Sequence, residues 1–138
     1  MSTVVLYYSY TGYTKKLAEA IAAKENASLF EIQDLKRPGT LKAYSAGSLA
    51  AHRQRPWPIA PLKTNLEAYD SIIILGPIWF GYPAPQLNSV FALLPPGKSV
   101  SLIMTSGSGH SQNKEAVCAL VKKQGCAVSD YTDHKAAP

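Results

Sequence analysis

The chain has 138 residues, 46% of them apolar, and a formal net charge of +5. That length and composition fit one domain over residues 1–138 with a real core, and they exclude a disordered chain. The longest apolar runs are too short to span a bilayer, and no signal-peptide pattern precedes the first strand-like run, so a cytoplasmic protein without a membrane span is expected.

Residues 3–8 (TVVLYY) are β-branched and aromatic and read as a strand buried on both faces. Tyr13, Leu17, Ala20 and Ile21 then recur at helical spacing, which predicts a helix over 13–24. Residues 28–33 (SLFEIQ) read as a second strand. Residues 34–61 are broken by proline and glycine. A helix over 41–54 fits their Ala, Leu and Lys, Gly47 weakens it, and Pro56, Pro58 and Pro61 end it. Residues 71–75 (SIIIL) give the clearest strand, and 76–85 read as a loop holding Trp79, Phe80 and Tyr82. Leu87, Val90, Phe91 and Leu94 predict a helix over 86–94, which Pro95, Pro96 and Gly97 break. Residues 99–105 form a fourth strand, 106–111 a Gly/Ser loop, 113–124 a helix capped by Gly125, and 126–131 a fifth strand. The tail from His134 is expected to be loose.

Strands and helices therefore alternate. Apolar strands joined by helical crossovers imply a parallel sheet covered on both faces. In such sheets ligands bind outside the carboxyl ends of the strands, where the strand order reverses. The loops expected there are 9–14, 76–85 and 106–111. Cys118 and Cys126 make no disulfide framework and fit no zinc spacing, so both are expected to be buried thiols. No metal site is expected.

Charge is unevenly placed. No acidic residue lies between Asp34 and Glu67, whereas Lys36, Arg37, Lys42, Arg53, Arg55 and Lys63 do. The stretch reads as a solvated surface loop or as a docking patch for a phosphate-bearing cosubstrate or an acidic protein. Nucleic acid is not an expected partner, since no binding motif or interleaved stacking aromatics accompany these charges.

The first loop carries Ser9, Thr11, Gly12 and Thr14 and no charge. A helix N-terminus offers unpaired N–H groups and a positive dipole end, so hydroxyls and a glycine there suit a phosphate. The alternative is a capped turn with Thr11 or Thr14 as N-cap. The Walker ending and the G-x-G-x-x-G fingerprint are both absent.

Ser9-Tyr10-Thr11-Gly12-Tyr13-Thr14 resembles the S/T-x-T-G-x-T phosphate loop of flavodoxins and flavodoxin-like proteins. Gly76-Pro77-Ile78-Trp79-Phe80-Gly81 resembles that family's second flavin loop, and Thr105-Ser106-Gly107-Ser108-Gly109 its third. The resemblance covers nearly all of the chain up to the fifth strand. It implies an α/β flavodoxin-like fold, a doubly wound five-stranded parallel sheet in the order 2-1-3-4-5, and FMN as cofactor. On that resemblance Ser9, Thr11, Gly12, Tyr13 and Thr14 would hold the phosphate. Pro77, Ile78, Trp79, Phe80 and Gly81 would line the isoalloxazine ring. Ser106, Gly107, Ser108 and Gly109 would approach it from the other side.

Three departures shape the expected function. The third loop has no aromatic residue, only His110, so one flavin face is left open to a substrate unless His110 or Tyr82 covers it. The chain is basic where the family's electron carriers are usually acidic. The family's final helix has no counterpart after the fifth strand, so another segment, or a second copy of the chain in a homodimer, is expected to cover that side of the sheet. The reading is an FMN-dependent oxidoreductase that takes electrons from NAD(P)H and passes them to a small acceptor such as a quinone. His110 is a weak candidate for a hydrogen-bond donor to that acceptor. The alternatives are a flavodoxin-type electron carrier docking on a redox partner protein, and a flavin-free interaction domain that keeps the fold alone.

Overall fold

A computed structural model describes residues 2–36, 39–79 and 81–135. The strands are β1 (Thr3–Tyr7), β2 (Ser28–Glu31), β3 (Ser71–Trp79), β4 (Tyr82–Pro83), β5 (Ser99–Ser106) and β6 (Ala127–Lys135). The helices are α1 (Tyr13–Glu25), α2 (Thr40–Lys42), α3 (Ser48–His52), α4 (Pro85–Phe91) and α5 (Lys114–Lys123). The sheet order is β2-β1-β3-β5-β6, with β4 paired only to β3. Every neighbouring pair on the main path is parallel, and β3/β4 is antiparallel. The five long strands thus follow the expected 2-1-3-4-5 order. The labels differ because the sequence reading did not include the short Tyr82–Pro83 strand.

The apolar strands fix this architecture. Val4, Leu6, Ile72, Ile74, Val100, Leu102 and Met104 are buried on one sheet face against Leu87, Val90 and Phe91 of α4 and Val117 and Val121 of α5. The opposite face has a smaller cluster, in which Val5, Tyr7 and Leu75 meet Ala18 and Ala22 of α1. At about 25 cal/mol per Å² of apolar surface removed from water, the larger face contributes most of the stabilisation.

Beyond α1 the second face changes character. Ile73 lies beside Ser101 and Ile103 beside Thr132 in register, and both isoleucines are only half-buried. The Ser101 and Ser129 hydroxyls bond each other at 2.8 Å. The uncovered part is therefore mixed rather than apolar, which lowers the cost of exposing it.

Three differences from the sequence expectation bear on the site. β3 runs on to Trp79 instead of ending at Leu75, because Ile78 and Trp79 pair with Pro83 and Tyr82 in a hairpin. β6 continues to Lys135, in register with Ser106, so His134 and Lys135 are strand rather than loose tail. The helix expected over 41–54 runs over 40–52, and its middle turn, Ala43–Gly47, is a π-helix. Its Gly47 lies against Trp79: a Cβ there would stand 3.0 Å from Trp79 Cζ3.

Cys118 and Cys126 are free and buried, as expected. Among the described residues no group of His, Cys, Asp or Glu could hold a metal ion, and no helix is long and apolar enough to cross a membrane.

Candidate functional site

The strand order reverses between β1 and β3, so the crevice lies beyond Tyr7 and Trp79. The loop after β1 enters it first. Gly12 precedes α1 with φ of 105°, a left-handed conformation that glycine adopts without penalty, and a Cβ built there would meet nothing within 4 Å. The Ser9 hydroxyl accepts from the Gly12 N–H at 3.0 Å and holds the turn. Neither Thr11 nor Thr14 caps the helix: Gly12 is the N-cap and no side chain bonds the first turn. The capped-turn reading therefore fails.

Thr14 has a different role from the one its hydroxyl suggested. It is buried, with Oγ1 2.8 Å from Thr105 Oγ1. Thr105 donates its single proton to the Gly76 carbonyl at 3.3 Å. Thr14 must then donate to Thr105, and its hydroxyl proton is committed inside the protein. This chain ties the starts of the first and second loops to the end of β5. The group Thr14 offers outward is its backbone N–H in the first turn. Thr11, by contrast, is exposed.

Pro77, Ile78 and Trp79 form the end of β3, and Gly81 is the turn of the β3/β4 hairpin. Asn113 Nδ2 donates to the Gly81 carbonyl at 2.7 Å and ties the hairpin to α5. Phe80 lies outside the described residues. Trp79 is half-buried and meets two tyrosines edge-on, Tyr8 at 6.1 Å and Tyr10 at 5.7 Å between centroids. Tyr82 faces the His52 ring edge-on at 5.4 Å.

The third loop is held by its own hydroxyls. The Gly109 N–H donates to Ser106 Oγ at 3.0 Å, and the His110 N–H donates to Ser108 Oγ at 3.2 Å. Gly107, Ser108 and His110 are exposed at the rim. Ser111 donates to Asp133 Oδ1 at 2.6 Å and accepts from the Tyr131 phenol at 2.6 Å, which fastens the loop to β6. Burial pushes the Tyr131 phenol above its ordinary pKa. The Ser111 bond opposes this, and the Asp133 charge adds to it.

Sequence reasoning missed several residues at this edge. Lys135 accepts from the Tyr13 phenol at 3.0 Å through its carbonyl, and its Cβ would lie 3.0 Å from a Cβ built on Gly109. It bridges the first and third loops, and only the length of β6 brings it there. Tyr10 was visible as an aromatic inside the loop motif. Asp34 accepts from the Tyr8 phenol at 2.6 Å and from Gln86 Nε2 at 2.8 Å, which anchors the 34–61 segment beside the crevice. Gln86 is fully buried, and its Oε1 has no partner among the described residues.

A sequence profile of the flavodoxin family matches residues 2–131. The chain belongs to the flavodoxin family. This flavodoxin-family chain is also similar to a curated NAD(P)H dehydrogenase (quinone) of Gluconacetobacter diazotrophicus, 38% identical over 89 residues, covering 62% of this chain and 43% of that protein. The chain thus spans less than half the length of the curated relatives it matches. Among solved structures, a flavoprotein in complex with FMN from Lactobacillus acidophilus superposes with a TM-score of 0.77 at 24% identity, covering 94% of this chain and 91% of that one. A two-electron reduced flavodoxin of Megasphaera elsdenii superposes with a TM-score of 0.62 at 17% identity, covering 99% and 88%. At these identities the superpositions speak for the fold.

Proposed function

We propose that the protein binds FMN in the crevice beyond β1 and β3 and acts as an oxidoreductase between NAD(P)H and a small acceptor such as a quinone. The observation that carries this is the meeting of three motif-bearing loops at one sheet edge, around the half-buried Trp79. The open space over Gly12 and the uncharged turn around it fit a phosphate bound by neutral donors. Bound FMN would supply the redox chemistry, taking a hydride equivalent from the nicotinamide and giving two electrons to the acceptor.

The chain's residues hold and shield the cofactor. Ser9 shapes the turn by accepting from the Gly12 N–H, Gly12 leaves open space for the phosphate, the Thr11 hydroxyl and the backbone N–H groups of Tyr13 and Thr14 would hold it, and Pro77, Ile78, Trp79 and Gly81 would line the ring. The third loop, Ser106 to Gly109, would approach from the other side, with Gly109 N–H bonded to Ser106 and the exposed Gly107 and Ser108 nearest solvent. His110, exposed at the rim, would donate a hydrogen bond to the acceptor. A relative named for NAD(P)H and quinone, and a structural neighbour that holds FMN, support the reading. On this reading residues 1–138 form one domain.

The test is anaerobic. FMN-loaded protein is mixed with NADPH and then with menadione. Bleaching of the flavin band by NADPH and its return on menadione is the expected result. A band that dithionite bleaches and NADPH does not would replace this reading by the electron carrier.

A further inference from the structure

Gly47 stands where the backbone has no need of a glycine. It closes the π-turn Ala43–Gly47 and leads into α3 with φ of −65° and ψ of −44°, helical values that any residue adopts. Glycine inside a helix is destabilising relative to alanine, because the unfolded chain has more freedom to lose. The other inward positions of the segment are alanines: Ala43 is 7% exposed and Ala51 is fully buried. An alanine at 47 would suit the helix better.

The surroundings of Gly47 explain it. A Cβ there would stand 3.0 Å from Cζ3 and 3.4 Å from Cε3 of Trp79, while the next nearest atom, the Lys42 carbonyl oxygen, is an ordinary 3.7 Å away. The crowding is thus against one ring. That ring ends β3 beside the strand-order reversal and is half-buried, so it has room to shift. Its edge-on neighbour Tyr8 is 2% exposed, with its phenol bonded to Asp34 at 2.6 Å, and Tyr10 belongs to the loop after β1. The 40–52 segment and that loop therefore meet on the same indole. A π-turn within a helix is a frequent mark of a functional position.

We propose that Gly47 is a positioning residue for the flavin, acting through Trp79. Its missing side chain is the seat of the Trp79 ring, so the 40–52 segment sets how closely that ring meets the isoalloxazine. A methyl group at 47 displaces the half-buried indole, the part of the contact that can yield. The proposal rests on the FMN reading for the ligand, and the seat itself stands without it.

The test uses Gly47→Ala in a Trp57→Phe background, which leaves Trp79 as the sole tryptophan. In the flavin-free protein, Tm should stay level or rise, because alanine favours the helix, while Trp79 emission becomes more readily quenched by acrylamide. Titration followed by flavin emission should show FMN and riboflavin weakened alike, by about fivefold, since Trp79 faces the ring and not the phosphate. Phenylalanine lacks Cζ3 and Cε3 of the indole, so in a Trp79→Phe background Gly47→Ala should change either Kd by less than about 1.5-fold. Gly47→Ser, which also adds a Cβ, should behave as Gly47→Ala.

A merely structural glycine would give another pattern: a lower Tm with Trp79 quenching and both flavin affinities unchanged. That result would overturn the proposal. So would an equal Kd change with and without the Trp79 indole, or a loss of FMN affinity that riboflavin does not share. A parent protein that keeps no flavin would overturn the function above, and quenching and Tm of the flavin-free variants would still decide whether Gly47 seats Trp79. A parent that keeps FMN, with Gly47→Ala binding it equally well, would leave that function standing and remove this residue from it.

Discussion

Gly76 is the residue where adding one methyl group tests the packing that carries the site. It is buried on β3, and a Cβ there would overlap Leu87 Cδ1 and stand 2.9 Å from Cγ and 3.0 Å from Cδ2. The whole branch of Leu87 is in the way, including Cγ, so no terminal rotation clears it. Leu87 is fully buried on α4, in an interior of the usual close packing. Overpacking of this kind costs about 1–3 kcal/mol, and the crowded geometry places Gly76→Ala in the upper half of that range. Replacing glycine by alanine in a strand returns roughly 0.5–1 kcal/mol of backbone entropy. The net loss is about 1–2.5 kcal/mol. With about 2.1 cal/mol/K of unfolding entropy per residue over 138 residues, Tm should fall by about 3–9 °C.

The sign reverses once Leu87 is removed. In a Leu87→Ala background, itself about 2–5 kcal/mol less stable, the Gly76→Ala methyl enters vacated space and should be neutral or stabilising. Thermal and urea melts of the two single variants and the double variant give a coupling energy of about 1–3 kcal/mol. A Gly76→Ala protein as stable as the parent, or costs that simply add in the double variant, would refute the packing argument.

Other substitutions separate structural hydroxyls from ligand-facing ones. Thr105→Val leaves the buried Thr14 hydroxyl without its acceptor and should cost about 1–3 kcal/mol in urea melts. Thr11→Ala should change stability by less than about 0.5 kcal/mol, because Thr11 is exposed, yet weaken FMN about fivefold in a fluorescence titration. Riboflavin, which lacks the phosphate, should bind the Thr11→Ala protein as it binds the parent. Trp79→Ala should raise the Kd of both flavins by roughly 5–10-fold, the loss of one aromatic contact. Burial pushes the Cys118 thiol up although Lys122 and Lys114 pull it down, and Cys126 is 6% exposed and donates to the Pro95 carbonyl at 3.0 Å. Both should resist a disulfide reagent near pH 8 in the native protein and react on unfolding.

Much of this was legible in the sequence because the decisive patterns are local. TVVLYY reads as a strand buried on both faces and SIIIL as a clear strand, and the helix after Gly12 shows its period within three turns. The order of the five strands came from the resemblance of three loops, not from periodicity. The sequence was less informative where distant residues decide the outcome. β3 continues past Leu75 because Tyr82 and Pro83 fold back to pair with it, which no window around Gly76 reveals. His134 and Lys135 become strand because Thr105 and Ser106 offer them partners in register. Thr14 looked like a phosphate donor because its inward partner, Thr105, is remote in sequence. Gly47 looked like a helix breaker, yet there it gives the room that Trp79 takes up.

The most direct test of the central claim is flavin retention. The purified protein is incubated with FMN, freed of excess by gel filtration, and its visible spectrum is compared with that of a sample treated in the same way with riboflavin. One FMN per chain with a shifted flavin band is expected, and far less riboflavin retained, if the loop after β1 holds the phosphate. A correctly folded protein that keeps neither flavin, or keeps both equally, would contradict it.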